Sequence, residues 1–356
     1  MKILFLVPSM GFGGAERVIS ILTNELTKRG HSIGLFITNP PAQSVYKLDE
    51  RITLHSPSKI EGAKGIMKEI RSFTKSFDPD VVVPFLPYQC IYTVFALLGT
   101  KYPVVVCERN DPARIQATNV SKLHYIMRDL SFSLAKGAVF QTEGAQQYFS
   151  KSIQKKSTVI LNPLDESILP DAYFGERGKR VVCVGRLTKQ KNQTLLLHAF
   201  SMIEKDFPEY KLELYGDGED KEMLSSLAHE LNLDGRVVFC GNCKDVLERI
   251  KTASLFAFSS DYEGLPNALA EALAIGLPCV STDCTPGGAR MLIDNGENGF
   301  IVPVNQPKPL ADAMKILLSD KELSEKFSKN AVLLREKASL NRIVDMWEDY
   351  LSNIVR

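Results

Sequence analysis

Short apolar runs alternate along the chain with longer segments whose apolar positions recur every three or four residues. The short runs predict buried strands and the longer segments predict the helices that cover them. In the first half the strand candidates are Lys2–Val7, Ser32–Thr38, Val81–Pro84, Val104–Cys107, Ala138–Gln141 and Thr158–Leu161, with helical patterns such as Ala15–Arg29 and Ser121–Ala135 between them. The alternation breaks at Asn162-Pro163-Leu164-Asp165, and the polar run that follows to Lys179 reads as a linker. It restarts with Arg180–Val184, Lys211–Tyr215, Arg236–Cys240, Ser254–Phe258, Pro278–Ser281 and Phe300–Val302. The prediction is an α/β protein of two tandem Rossmann-like, doubly wound domains, residues 1–165 and 166–338. A closing amphipathic helix lies within 339–356, with Trp347 as its anchor. Open parallel sheets bind ligands beyond the carboxyl ends of their strands, so the residues just after each strand are the informative ones.

Composition narrows the class. A chain of 356 residues with 44% hydrophobic and 24% charged residues reads as a soluble, two-domain globular protein. No apolar run has the length of a membrane span, and the start lacks a signal peptide's pattern. Seven scattered cysteines suggest reduced thiols and a cytoplasmic location. The net charge of +1 hides an asymmetry: residues 1–166 hold 20 Lys and Arg against 14 Asp and Glu, the remainder 23 against 28. A basic first half suggests an anionic partner surface or substrate.

The stretch Pro8–Val18 places Gly11, Gly13 and Gly14 between a strand and a helix. A dinucleotide fingerprint would want a third glycine where Glu16 stands, and an acidic end to the second strand, which here reads Ile37-Thr38-Asn39-Pro40. A nicotinamide or flavin enzyme is therefore disfavoured. The glycines still permit close approach of another molecule, and equally serve a simple tight turn.

The second half carries the sharper signals. Residues 259–276, SSDYEGLPNALAEALAIG, follow a strand; Pro266 fits the first turn of a helix, leaving the amides of Gly264 and Leu265 free to point beyond the strand end. Glu263 stands at that mouth, and Glu271 is the sole charge of the helix, among small or apolar neighbours. Upstream, Gly185 ends a strand, Arg186 and Lys191 flank a short loop, and a helix begins near Asn192. A guanidinium and an ammonium beside a helix start can cradle a diphosphate. Gly216-Asp217 and Gly241-Asn242 add two more loops on the same edge.

Taken in order, GGAER, NPLD, GRLTKQKN, GDGE, EGLPNALAEALAIGLP and GENGFIVP resemble glycosyltransferase family 4, the group 1 transferases of the GT-B fold, over essentially the whole chain. The resemblance implies two domains facing a cleft and a retaining, metal-independent transfer from a nucleotide sugar, with UDP favoured. The acceptor would be lipid-linked or an oligosaccharide, in surface-polysaccharide or glycan assembly. It implies no cofactor. Arg186 and Lys191 would hold the donor diphosphate, Glu271 the nucleotide ribose, and Glu263 the donor sugar. Gly13, Gly14, Gly185, Gly216, Asp217, Asn242, Gly264, Leu265, Pro266 and Asn267 would complete the donor pocket. The closing helix would cross back to the first domain, with closure about residues 162–178. This sequence departs from the family's pattern in two places. Where a histidine often stands, Glu108, Arg109 and Asn110 follow a strand and, with Glu16, become acceptor or sugar candidates, although Arg109 could equally be structural. Where a further glutamate is often found, Arg290 and Met291 stand.

Rival readings are a sugar-nucleotide epimerase of the same fold, which needs no acceptor, and a non-catalytic sugar-nucleotide-binding subunit. Asp78-Pro79-Asp80 reads as a helix-to-strand turn rather than a metal pair. Cys240 and Cys243 with Cys279 and Cys284 lack zinc-ribbon spacing. No nucleic-acid partner is expected. In the segment 62–77, Lys64, Lys68, Arg71 and Lys75 form one stripe opposite Ile66, Ile70, Phe73 and Phe77. Such a basic amphipathic helix either packs on the core with its lysines in solvent or rests on anionic lipid, which would place the protein on the inner face of the membrane.

Overall fold

The strand and helix alternation is realised in a computed structural model that describes residues 1–11, 13–39, 45–57, 62–114 and 122–356. The chain divides into two units, Met1–Pro163 with Leu340–Arg356, and Leu164–Ser339.

In the N-terminal unit, β1 (Lys2–Val7), β2 (Ser32–Ile37), β3 (Thr53–His55) and β4 (Val81–Pro84) form a parallel sheet of order β3-β2-β1-β4. Isolated bridges Val82–Val104 and Phe85–Cys107 continue it into β5 (Val105–Glu108), β6 (Gly137–Phe140) and β7 (Ser157–Val159). The strands are apolar on both faces because helices cover both. One cover is α1 (Gly14–Lys28), packed beside the C-terminal helix Leu340–Val355; α2 (Gly62–Phe77), α3 (Pro87–Leu97) and α4 (Lys122–Leu134) lie side by side as another layer. The predicted helix at 121–135 is α4; Ser121 itself lies outside the described residues. Trp347 is fully buried and stacks on Phe85 with ring centroids 6.1 Å apart. On the same helix, the Tyr350 hydroxyl donates to Lys156 O at 2.6 Å and accepts from Ala138 N at 2.9 Å, tying the helix to β6. Tyr350→Phe should cost about 1 kcal/mol of the unit's stability by urea denaturation, the net value of such a bond; an unchanged midpoint would count against this tie.

The C-terminal unit holds one six-stranded sheet of order β10-β9-β8-β11-β12-β13: β8 (Gly178–Val184), β9 (Lys211–Tyr215), β10 (Val237–Gly241), β11 (Ala253–Phe258), β12 (Cys279–Thr282) and β13 (Phe300–Val302). The chain switches direction across the sheet between β8 and β11, which are hydrogen-bonded neighbours. At such a switch point the loops diverge and leave a crevice.

Two of the expected segments are placed as follows. The segment expected as a linker is fastened to the C-terminal unit: Tyr173 N donates to Ile275 O at 3.1 Å, and Arg177 donates to Tyr173 O, Gly276 O and the Ser328 hydroxyl. Its proline and glycine content marks irregular backbone, not slack chain. The helix 62–77 is present, but its apolar side, Ile70, Thr74 and Phe77, is buried on the sheet and Phe73 stacks on His55. Lys64, Lys68, Arg71 and Lys75 face solvent. Its apolar face is therefore not available to lipid.

Candidate active site

The two loops at the switch point of the C-terminal unit are joined by several hydrogen bonds. After β8, Gly185-Arg186-Leu187-Thr188 leads into a short 3-10 turn, Lys189–Lys191, and then the helix Gln193–Ser201. Asn192 caps that helix from a left-handed conformation, its side chain accepting from Leu195 N at 3.1 Å. After β11 comes Ser259–Pro266 and the helix Asn267–Ala274. Asp261 N donates to Gln190 O at 2.9 Å, the Gln190 amide donates to Tyr262 O at 2.9 Å, the Ser259 hydroxyl donates to Lys191 O at 2.9 Å, and the Asn192 amide donates to Asp261 Oδ1 at 2.7 Å. At the centre the Lys191 ammonium is ion-paired with Glu263 Oε1, which also accepts from the Ser260 hydroxyl at 3.0 Å. Glu263 is buried, and the Phe258 ring lies 5.5 Å from the ammonium. A carboxylate so enclosed is oriented by its partners and cannot rotate away.

The neighbouring loops are held by backbone. Gly185 N donates to Tyr215 O, Leu187 N to Asp217 O and Gly216 N to Gly241 O. Gly216 has φ +135°, and a Cβ there would stand 2.1 Å from Gly185 O; only glycine lets the two strand ends approach so closely. Asp217 and Asn242 are exposed at these ends. Arg186 is exposed too, and its guanidinium has no hydrogen-bond or ion-pair partner among the described residues, while its carbonyl accepts from the Gln193 amide at 2.9 Å. It is a cation anchored at its root and open at its tip.

Gly264, Leu265 and Pro266 are buried. Pro266 precedes the helix as its N-cap instead of lying in its first turn, and the helix starts at Asn267. Glu271 is buried on that helix, as its apolar surroundings suggested. Glu263 N donates to Thr285 O at 2.8 Å, and a Cβ on Gly288 would lie 2.1 Å from Gly264 O. The supports Ser259, Ser260, Asp261 and Asn192 were not singled out in the sequence; their one signal was a polar cluster directly after an apolar strand. Arg290 is ion-paired with Asp283 at the exposed edge.

The N-terminal unit holds the remaining candidates. Gly13 caps α1 with extended backbone; Glu16, in the first turn, turns back so that a Cβ on Gly13 would meet its carboxylate at 2.2 Å, and it accepts from the Ser9 hydroxyl at 3.3 Å. The helix start beside Gly13 and Gly14 thus carries an anion of its own. Phe12 lies outside the described residues. Arg109, a contact candidate that could equally be structural, is buried; its guanidinium lies 4.8 Å from the Phe85 ring and is hydrogen-bonded to Asn162. Burial pulls its pKa down to about 10. Glu108 is also buried; Oε1 accepts from Arg109 N at 3.0 Å and Asn110 N at 3.2 Å, and Oε2 has no partner among the described residues. Burial pushes its carboxyl up to about 7, against the opposing pull of Arg128 and the two amides. Glu108 and Asn110 line a cavity of about 500 Å³ together with Thr38, Tyr88, Gln89 and Arg114. Among the described residues no three His, Cys, Asp or Glu side chains are placed to share a metal ion, and the seven cysteines are unpaired.

Comparisons with known proteins agree with this geometry. Residues 12–168 match Glycosyltransferase Family 4 and residues 167–333 match Glycosyl transferases group 1. The chain is 29% identical to a Campylobacter jejuni N-acetylgalactosamine-N,N'-diacetylbacillosaminyl-diphospho-undecaprenol 4-alpha-N-acetylgalactosaminyltransferase, over 95% of each chain. It is 25% identical, over 99% of each, to a second alpha-1,4-N-acetyl-D-galactosaminyltransferase of that organism, which elongates a diphospho-undecaprenol-linked glycan. Among solved structures, Anabaena HepE in complex with UDP superposes with a TM-score of 0.83 at 20% identity, covering 99% of this chain and 100% of that one. Two parallel-sheet units, paired strand-end loops and two adjoining family matches place the chain in the group 1, family 4 glycosyltransferases of the GT-B fold.

Proposed function

We propose that the chain is a retaining transferase that moves a hexose or N-acetylhexosamine from a UDP-sugar to a lipid-linked or oligosaccharide acceptor in surface-polysaccharide or glycan assembly. The observation that carries this reading is the Lys191–Glu263 ion pair at the β8/β11 switch point, beside the cation of Arg186, which has no partner among the described residues. As the anomeric bond breaks, negative charge grows on the departing diphosphate; Arg186, Lys191 and adjacent loop amides neutralise it without a metal. Glu263, oriented by Lys191 and Ser260, contacts the donor sugar as positive charge develops on the ring, and Glu271 holds the ribose. Attack from the face the diphosphate leaves retains the configuration, and the leaving phosphate takes the acceptor proton. The relatives named for transfer onto undecaprenyl diphosphate carriers support a lipid-linked acceptor, and the UDP bound to HepE supports the nucleotide. Among the described residues no helix is long and apolar enough to cross a membrane; in this reading the enzyme meets such an acceptor from the cytoplasmic side as a peripheral protein.

The test is a mass-spectrometric screen of nucleotide sugars with a polyprenyl-diphosphate saccharide, read as the gain of one sugar unit, with NMR of the new anomeric proton. Transfer should persist in EDTA, and turnover lost to the chelator would remove the metal-free mechanism. Glu271→Ala should raise the donor KM about tenfold with kcat little changed, the signature of lost ground-state binding. An unchanged KM would remove Glu271 from the donor site.

A further inference from the structure

We infer that Glu108 is the residue by which this chain recognises the terminal sugar of its acceptor, its Oε2 accepting a sugar hydroxyl inside the cavity of the N-terminal unit. The inference deepens the transferase reading above and rests on it.

The cavity of about 500 Å³ lies beyond the carboxyl ends of four parallel strands: it is lined by Pro8 after β1, Thr38 after β2, Leu86 after β4 and Glu108 at the end of β5. Open parallel sheets take their ligands there, and small-molecule sites span about 300–1,000 Å³. Leu86 has φ +75° and ψ 149°, close to a region that only glycine enters easily. Backbone strain of this kind clusters at ligand clamps and active sites.

The chemistry of the walls identifies the ligand. Glu108 is 1% exposed, and buried polar atoms are normally satisfied. Its Oε1 takes the amides of Arg109 and Asn110, whereas Oε2 is matched by nothing among the described residues. On the same cavity α3 begins at Pro87 without a side-chain cap, which leaves the amides of Tyr88 and Gln89 with no intrahelical acceptor. Tyr88 and Tyr92, one turn apart with ring centroids separated by 6.4 Å, add aromatic faces. A carboxyl oxygen wanting a donor, amides wanting an acceptor, and apolar rings together fit a sugar, whose hydroxyls do both and whose C–H face packs on tyrosine. A free anion would suit the amides but would face the carboxyls of Glu108 and Asp111. The groups given to the nucleotide sugar, Arg186, Lys191, Glu263 and Glu271, all belong to the C-terminal unit, which leaves this cavity to the acceptor.

Binding is then linked to protons. A sugar O–H on Oε2 is the third donor to the carboxylate and favours its charged form, whereas burial holds the unliganded carboxyl up to about 7. Acceptor affinity should therefore rise about tenfold from pH 6 to pH 8. Around Glu108 stand Cys90 of α3, Arg128 of α4 and, on its own strand end, Cys107, Arg109 and Asp111. Burial pushes both thiols up, Cys107 to about 12, and Arg109 at about 10 stays charged. His124, packed on Tyr88 with rings 4.2 Å apart, titrates below its ordinary 6.5.

The experiment is saturation-transfer NMR of the full chain with methyl hexosides and methyl N-acetylhexosaminides, followed by kinetics on the acceptor found by the screen above. Glu108→Gln keeps an oxygen for the two amides but sets an NH₂ where Oε2 stands. At pH 8 it should weaken glycoside binding and raise the acceptor KM by about tenfold to a hundredfold, the scale of one hydrogen bond to a charged group. The UDP-sugar KM should not change, and the pH trend should vanish. Equal acceptor KM in the two chains overturns the inference, as does a loss confined to the UDP-sugar KM. So does a pH trend that the variant retains, which would belong to His124. Glycoside binding that needs Glu108 in a chain that turns over no nucleotide sugar keeps the sugar site and defeats the transferase reading. Transfer with kinetics indifferent to Glu108→Gln does the reverse.

Discussion

Arg186→Ala is expected to lower turnover by about 10²–10³-fold, the scale for removing one preorganised group that stabilises transition-state charge. The reason lies in the unequal positions of the two cations. Lys191 is ion-paired with Glu263, so its charge is already largely balanced before any substrate arrives. Arg186 has no such partner among the described residues, yet its backbone is fixed by Gly185 N to Tyr215 O, Leu187 N to Asp217 O and the Gln193 amide on its own carbonyl. A diphosphate at the β8 end would meet a full positive charge on a rigid root, and the guanidinium can engage two oxygens at once. Arg186→Lys keeps the charge but not the fork, and should recover only part of the rate. Steady-state kinetics with the donor found by the nucleotide-sugar screen provide the measurement. Equal kcat for Arg186→Ala and the parent would mean that the leaving group is stabilised elsewhere, and the donor site would have to be moved.

How much of this was legible in the chain depends on whether the signal was local. The alternation of apolar runs located twelve of the thirteen strands among the described residues, because a parallel strand buried on both faces is a continuous apolar run. The exception, β3, is three partly exposed residues at a sheet edge, Thr53-Leu54-His55, too short and too polar to stand out. The strand β5 was ended at Cys107 because a glutamate closes an apolar run, whereas the backbone pairing continues through Glu108 opposite Phe140. Arg186, Lys191, Glu263 and Glu271 were readable from spacing and strand-end position. The pairing of Lys191 with Glu263 was not, since seventy-odd residues separate them and only the β8–β11 neighbour relation brings them together. The burial of Arg109 against Phe85 was hidden for the same reason: an arginine after a strand looks alike whether it meets a ligand or an aromatic ring.

Glu108 leads to the other large effect, and its sign follows from burial. In the folded chain its carboxyl holds a proton up to about 7, against an ordinary 4.5, because the buried site disfavours the charge more than Arg128 and the amides of Arg109 and Asn110 favour it. The folded state therefore binds the proton more tightly than the unfolded state. The stability this contributes is complete below about 4.5 and is lost as pH rises through about 7. In Glu108→Gln the amide oxygen can still accept from the two backbone N–H groups, and nothing at that position titrates. The substituted NH₂ takes the place of Oε2, which has no partner in the parent, so the two chains should be of similar stability in acid. At about pH 8 the variant should be the more stable by roughly 3 kcal/mol relative to the comparison at about pH 5. Urea denaturation of both chains at the two pH values decides it. A difference that does not grow with pH, or grows in favour of glutamate, would mean that Glu108 is ionised in the folded protein. At neutral pH the cavity of the N-terminal unit would then be lined by a fully ionised carboxylate, and not by one that burial holds about half protonated.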